Sequence, residues 1–283
     1  MRPKARSIAV FAVCLCLLGV VAWQVWDWLP PPLPAASTVA ASTPKAHQYV
    51  RTPFIDDWDQ APLTDMNAHA ALNPGVAFLE GPTHRRLVAL TFDDGPSPYT
   101  PALLDVLKKY HVHATFFWIG KHVQEYDTVA RRALAEGHTL GNHTFTHPDM
   151  SGTSSDFWWD EQIGLTQDIF QRVIGKRPVL FRPPYGKIDD AQIKELNQHG
   201  LKTILWSIDT QDWNKNRWLF GSHHIERWIQ QYIHEEAIIL MHDGGGHRDQ
   251  TVAAVDAVIP WLQKAGYQFV TVDQLLGIKE VYQ

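Results

Sequence analysis

The chain has 283 residues, 45% hydrophobic and 19% charged, which leaves room for one globular domain of roughly 200 residues plus further sequence. A formal net charge of -5 excludes any general electrostatic attraction to nucleic acid. Both cysteines, Cys14 and Cys16, lie in an apolar N-terminal stretch, so elsewhere there are no disulfides and any metal must be held by His and carboxylate.

At the N-terminus, Arg2, Lys4 and Arg6 precede an apolar run over 7–23. That run is longer than the roughly 7–15-residue core of a cleaved signal peptide. It is followed by Trp23, Trp26 and Trp28, as at a membrane interface, and then by prolines. Residues 1–28 therefore read as an uncleaved transmembrane anchor, with a cleaved signal as the alternative. The basic start favours the N-terminus inside, which places the rest of the chain on the extracytoplasmic face, in the cell envelope or outside it. Residues 29–45 are rich in Pro, Ala, Ser and Thr and suit an extended spacer. Residues 46–83 show no clear period. Phe54, Trp58, Phe78 and Leu79 could pack on the domain surface, but the segment has no assignable role.

From residue 84 to 283 the pattern becomes regular. Short β-rich apolar runs occur at 87–92, 114–119, 139–141, 179–181, 203–208, 237–241 and 269–272. Helix-like stretches alternate with them at 100–111, 121–137, 156–175, 189–200, 224–236 and 251–266, several ending in a glycine of C-cap type: Gly137, Gly175, Gly200 and Gly266. The alternation argues for a parallel sheet, open or closed into a barrel, with chemistry where strands end. The sequence has 12 Trp, and core packing is the reading preferred for most of them.

Five clusters follow these strands. Asp93 and Asp94, ahead of Gly95 and Pro96, put adjacent carboxylates at a strand end, an arrangement that calls for a nearby positive charge unless it is an ordinary capping turn. His143 and His147 have the spacing that places two imidazoles on one face of a helical turn; with 15 His in the chain that spacing alone is weak, and its position after a strand strengthens it. Asp94, His143 and His147 make a three-ligand set of the kind that leaves a position open on a catalytic metal. Arg182, before Pro183, Pro184, Tyr185 and Gly186, could orient a carboxylate, and the stiff loop could aim a backbone N–H at an oxyanion. His242 with a nearby Asp would make a general acid, the partner being Asp209 or Asp212, with Asp209 favoured. Trp213 could stack on a sugar ring and Leu240 could line an acyl-methyl pocket. Each cluster alone has a structural explanation, but five complementary clusters at successive strand ends do not reduce easily to packing.

The ordered motifs at 91–96, 143–147, 182–186, 209–213 and 240–246 resemble those of NodB-homology polysaccharide deacetylases, carbohydrate esterase family 4, over about residues 85–276. Thr144 is a familiar variant of the family's Ser. The resemblance implies a distorted (β/α)7 barrel. It implies Asp93 as catalytic base, His242 as acid, Arg182 as the residue orienting Asp93, and Asp209 as the partner tuning His242. Asp94, His143 and His147 would bind the metal and the Tyr185 N–H would contribute to the oxyanion hole. Zinc is the expected metal, although two His and one carboxylate also accept cobalt or nickel. The expected activity is hydrolysis of N-acetyl groups on a GlcNAc-containing glycan such as peptidoglycan, a chitin oligomer or poly-N-acetylglucosamine. The competing expectations are an inactive glycan-binding barrel and a deacylase for formyl or O-acetyl groups.

Overall fold

A computed structural model describes residues 50–52 and 60–283. The membrane-anchor expectation for 1–28 and the spacer at 29–45 lie outside the described residues, and among those described no helix is long and apolar enough to cross a membrane.

One nine-stranded sheet organises the domain. Its strands are β1 (Ala77–Phe78), β2 (Leu87–Asp93), β3 (Thr115–Trp118), β4 (Thr139–Asn142), β5 (Leu180–Phe181), β6 (Lys202–Ile204), β7 (Ile208–Asp209), β8 (Ala237–His242) and β9 (Gln268–Phe269). The order is β1-β6-β5-β4-β3-β2-β8-β7, with β9 paired to the start of β2, and every pairing is parallel. Beyond β1, Glu80 forms a bridge with Ala237 at the start of β8, so the sheet curls back on itself. Helices joining these strands are α1 (Leu63–Leu72), α2 (Thr100–Lys109), α3 (Gly120–Glu125), α4 (Asp127–Ala135), α5 (Leu165–Ile174), α6 (Asp190–Gln198), α7 (His223–Tyr232), α8 (Asp249–Lys264) and α9 (Val272–Leu276).

Alternation along the strands sets the two faces. Val88, Leu90 and Phe92 of β2, with Ile239 and Met241 of β8, pack outward with the helical layer. Ala89, Ile238 and Leu240 join a second cluster inside the curl. By the same parity Thr91 and Asp93 share the inner face with Ala89, and His242 shares it with Leu240. Pairing of β2 with β8 sets Asp93 directly beside His242. Among the described tryptophans, Trp118, Trp158 and Trp206 are buried.

Several elements differ from the sequence expectation. The run at 203–208 splits into β6 and β7 because the chain changes neighbours there: Leu205 N–H donates to Phe78 of β1, and Ser207 N–H to Ile238 of β8. The stretch at 121–137 breaks at Tyr126 (φ -112°, ψ 46°) into α3 and α4. The stretch at 156–175 opens as a π-helix over Phe157–Gly164 before becoming α5. The run at 269–272 ends early because Thr271 and Gln274 form a capping box that starts α9. Residues 46–83, without a role in the sequence, supply α1 and β1. Met66 and Ala70 of α1 are buried against the inner cluster. The four C-cap glycines all adopt positive φ, 70–87°.

Candidate active site

A cavity of about 400 Å³ opens where the strands end. Its walls include Asp93, Asp94, His143, His147, Tyr185 and His242. Asp93, 2% exposed, closes β2, and its Oδ1 accepts from Arg182 Nη1 at 2.8 Å. The same nitrogen also donates to Thr91 Oγ1, two residues back on that face, at 2.8 Å. The other Arg182 donors take the carbonyls freed at the β6–β7 break: Nε reaches Ile204 O at 3.1 Å and Nη2 reaches Leu205 O at 2.9 Å. With its guanidinium 4.1 Å over the Phe117 ring, this fully buried Arg is held by four hydrogen bonds and a ring face.

Asp94 leaves the strand at φ 71°. Its carbonyl accepts from His122 Nδ1 at 2.8 Å, and Gly244 and Gly245 close over it. A Cβ at Gly244 would lie 2.2 Å from Asp94 O, and one at Gly245 2.4 Å from its Oδ2, so only glycine fits. Burial tends to raise the Asp94 carboxyl, but His242, His147, His143 and Arg248 together hold it below the usual carboxylate range.

His143 and His147 do converge, but not on a helical turn. Thr144 and His147 have φ of 66° and 61°, and the segment is a bend. Asn142 Oδ1 accepts from Thr144 N–H at 2.9 Å. Gln162 Oε1, from the π-helix, accepts from the N–H groups of Phe145 and Thr146 at 3.1 and 3.0 Å. The wide turn thus supports the ligand loop, a use to which π-helical turns are often put. His143 Nδ1 contacts the Arg182 carbonyl at 2.7 Å; since a carbonyl only accepts, Nδ1 carries a proton and Nε2 is the nitrogen turned toward Asp94. His147 is pushed down to about 4 by burial first and by His143 next, so its ring is neutral.

These residues fit a divalent cation. Asp94 Oδ1 is buried without a hydrogen-bond partner, at 3.6 Å from His143 Nε2 and 3.4 Å from His147 Nε2, both long for hydrogen bonds. The three ligand atoms lie within 4.8 Å of one another. An acceptor-only oxygen facing two imidazole nitrogens beyond hydrogen-bond reach suits a positive charge between them.

The acid corner corrects one expectation. Asp212, not Asp209, is the partner of His242: its Oδ1 lies 2.7 Å from His242 Nδ1, and its Oδ2 accepts the His242 N–H at 2.8 Å. Thr251 Oγ1 donates to the same Oδ2 at 2.8 Å. Burial tends to lower His242, and Asp212 reverses this, raising the imidazole to about 9. Asp209 instead accepts from Gln211 N–H at 2.8 Å, Trp213 Nε1 at 3.2 Å and Gln60 Nε2 at 3.2 Å. Burial raises the Asp209 carboxyl. Burial would raise Asp212 too, but His242 draws it below the usual range, the sign expected of an ion-pair partner.

Leu240, 2% exposed, gives the cavity an apolar floor, and Trp213 and Tyr185 form walls. Tyr185 sits at φ 59° with its ring edge-on to His147, centroids 4.7 Å apart. Sequence reasoning missed Thr91, Gln162, Arg248 and Gln60. Arg248, buried in the cavity wall, donates to Gly244 O at 2.6 Å and Asp212 O at 3.1 Å, bracing both corners. Its signal was its place just behind the glycine run after His242. Gln60 had no signal at all.

The family profile described as polysaccharide deacetylase matches residues 80–204. A peptidoglycan-N-acetylglucosamine deacetylase of Bacillus cereus is 42% identical over 208 residues, spanning 72% of this chain and 95% of that protein. A peptidoglycan-N-acetylmuramic acid deacetylase of Bacillus subtilis is 36% identical over 224 residues, 78% of this chain and 83% of the other. The solved chitin deacetylase of the fungal pathogen Colletotrichum lindemuthianum aligns with a TM-score of 0.68 at 31% identity, over 74% of this chain and 96% of that one. The chain belongs to the polysaccharide deacetylases, the hydrolases of carbohydrate esterase family 4 that remove N-acetyl groups from glycans.

Proposed function

We propose that this protein is a zinc-dependent N-deacetylase of a GlcNAc-containing cell-envelope glycan. The observation that carries the reading is the unpartnered, buried Asp94 Oδ1 facing two imidazole nitrogens, in a cavity whose wall also holds Asp93 and His242. Zinc, when held by Asp94, His143 and His147, supplies a Lewis acid that polarises the acetamido carbonyl and lowers the pKa of water. Asp93, with Oδ1 committed to Arg182, takes the proton of the attacking water at Oδ2. The Tyr185 N–H donates to the oxyanion of the tetrahedral species. His242, with Nδ1 tied to Asp212, delivers a proton from Nε2 to the leaving nitrogen, and acetate and a free amine result. Leu240 receives the acetyl methyl and Trp213 a sugar face.

The curled sheet is read as a distorted form of a (β/α)7 barrel. The basic start and apolar run of residues 1–28 support a membrane anchor that holds the domain on the extracytoplasmic side. That placement, with the substrates named for the bacterial relatives, favours peptidoglycan. The test is acetate release from peptidoglycan and chitin oligomers by the zinc-loaded protein. Release should stop on chelation and return with zinc; no acetate from any of these glycans would sink the reading.

A further inference from the structure

Gln60 lies outside the family match at 80–204 and belongs to no motif, yet it lines the catalytic cavity. Its Nε2 and the indole Nε1 of Trp213 donate to the two oxygens of one carboxylate, that of Asp209, each at 3.2 Å. Because Asp209 acts as an acceptor on both oxygens, the orientation of the Gln60 amide is decided: nitrogen toward Asp209, carbonyl oxygen on the other side. Two other described residues, Thr52 and Ala61, contact the same rim. Thr52 Oγ1 accepts the Asp209 N–H at 3.0 Å, and the Ala61 N–H donates to the Tyr185 carbonyl at 2.9 Å. Gln60 is therefore fixed between two rim elements, beside an aromatic wall that shares its anchor. An indole face and a side-chain acceptor held in register suit a pyranose, whose C–H face stacks while a ring hydroxyl donates.

We propose that Gln60 is a substrate-binding residue whose Oε1 accepts a hydrogen bond from a hydroxyl of the sugar ring packed on Trp213, so that the segment ahead of the family domain helps select a pyranose polymer. The proposal rests on the deacetylase reading for the identity of the ligand. The competing role is mechanical, with Gln60 serving only to pin its segment to Asp209.

The test uses the full-length, zinc-loaded chain with chitotetraose, reading acetate release and, by calorimetry, binding. Gln60→Ala should raise KM and the dissociation constant about tenfold while kcat stays within about twofold, the pattern of lost uniform binding. Thr52→Val removes a pin without touching the cavity wall, and it should leave KM unchanged. Wild-type turnover with an unaltered KM in Gln60→Ala overturns the proposal, as do equal losses of kcat, KM and Tm in both variants. A wild type that releases no acetate from chitotetraose or from peptidoglycan, yet binds chitotetraose about tenfold more tightly than Gln60→Ala, sinks the deacetylase reading and leaves the role of Gln60 standing.

Discussion

Two imidazoles in one cavity wall, His147 and His242, are both partly buried, and burial is the largest influence on each, pushing both down. His147 faces a second imidazole and ends at about 4; His242 faces Asp212 and ends at about 9. Both rings also face a carboxylate: at His242 the Asp212 contact outweighs burial, whereas at His147 burial and the His143 ring outweigh Asp94, 3.4 Å away. One corner keeps the neutral His147 ring, with a lone pair open to a cation, and the other holds a proton on His242. Environments that push like groups apart in this way are how acid and ligand roles are divided within a single site.

The comparison breaks most visibly if each corner is removed in turn. Asp94→Ala should abolish metal binding and reduce kcat/KM by at least about 10³-fold, several kcal/mol of transition-state stabilisation. His242→Ala should keep its metal while kcat/KM falls about 10²–10⁴-fold, the range of general acid catalysis. Metal content measured beside acetate release separates the two, and loss of metal from His242→Ala would erase the division of labour.

A finer cut is Asp212→Asn. Without the carboxylate, burial acts on His242 unopposed by its main partner, so the alkaline limb of kcat/KM should move to lower pH. The same shift has a stability consequence in the chelated protein. With the folded value raised from 6.5 to about 9, the His242–Asp212 pair contributes stability that is fully present below about 6.5 and is lost as pH rises through about 9. Urea denaturation across that window should show the loss in the wild type and a flatter profile in Asp212→Asn. An unmoved alkaline limb would contradict the pairing.

The smallest effect should come from Asp209→Asn. Asp209 holds Gln60 and Trp213 and makes no hydrogen bond to His242. KM should rise a few-fold, since two positioned side chains lose part of their anchor, while the alkaline limb stays in place. A limb displaced as far as in Asp212→Asn would restore Asp209 to the acid corner.

Much of the fold and of the site was legible without coordinates, for reasons that are local. Parallel strands buried on both faces read as short apolar runs, and the residue that follows each run sits at the cavity mouth by the geometry of the fold. That places Asp93, Asp94, His143, Arg182 and His242 from sequence alone. Local propensity could not foresee that β6 and β7 exchange neighbours at Trp206, nor that Arg182 takes the carbonyls exposed there. It also misjudged the geometry of the His143–His147 segment, because Thr144 adopts φ 66° with its N–H bonded to Asn142.

The amino-acid sequence by itself determined the alternating architecture, a donor set able to hold a cation and the placing of Asp93 and His242 at strand ends, because strand period and residue chemistry are properties of short segments. Only the tertiary structure decided which of two aspartates three residues apart meets His242. Gln211 between them sits at φ 58°, so the two side chains leave the loop in different directions. It alone, too, brought Gln60 to Asp209 across 149 positions, a contact that comes from docking of the leading segment and leaves no periodic mark in the chain.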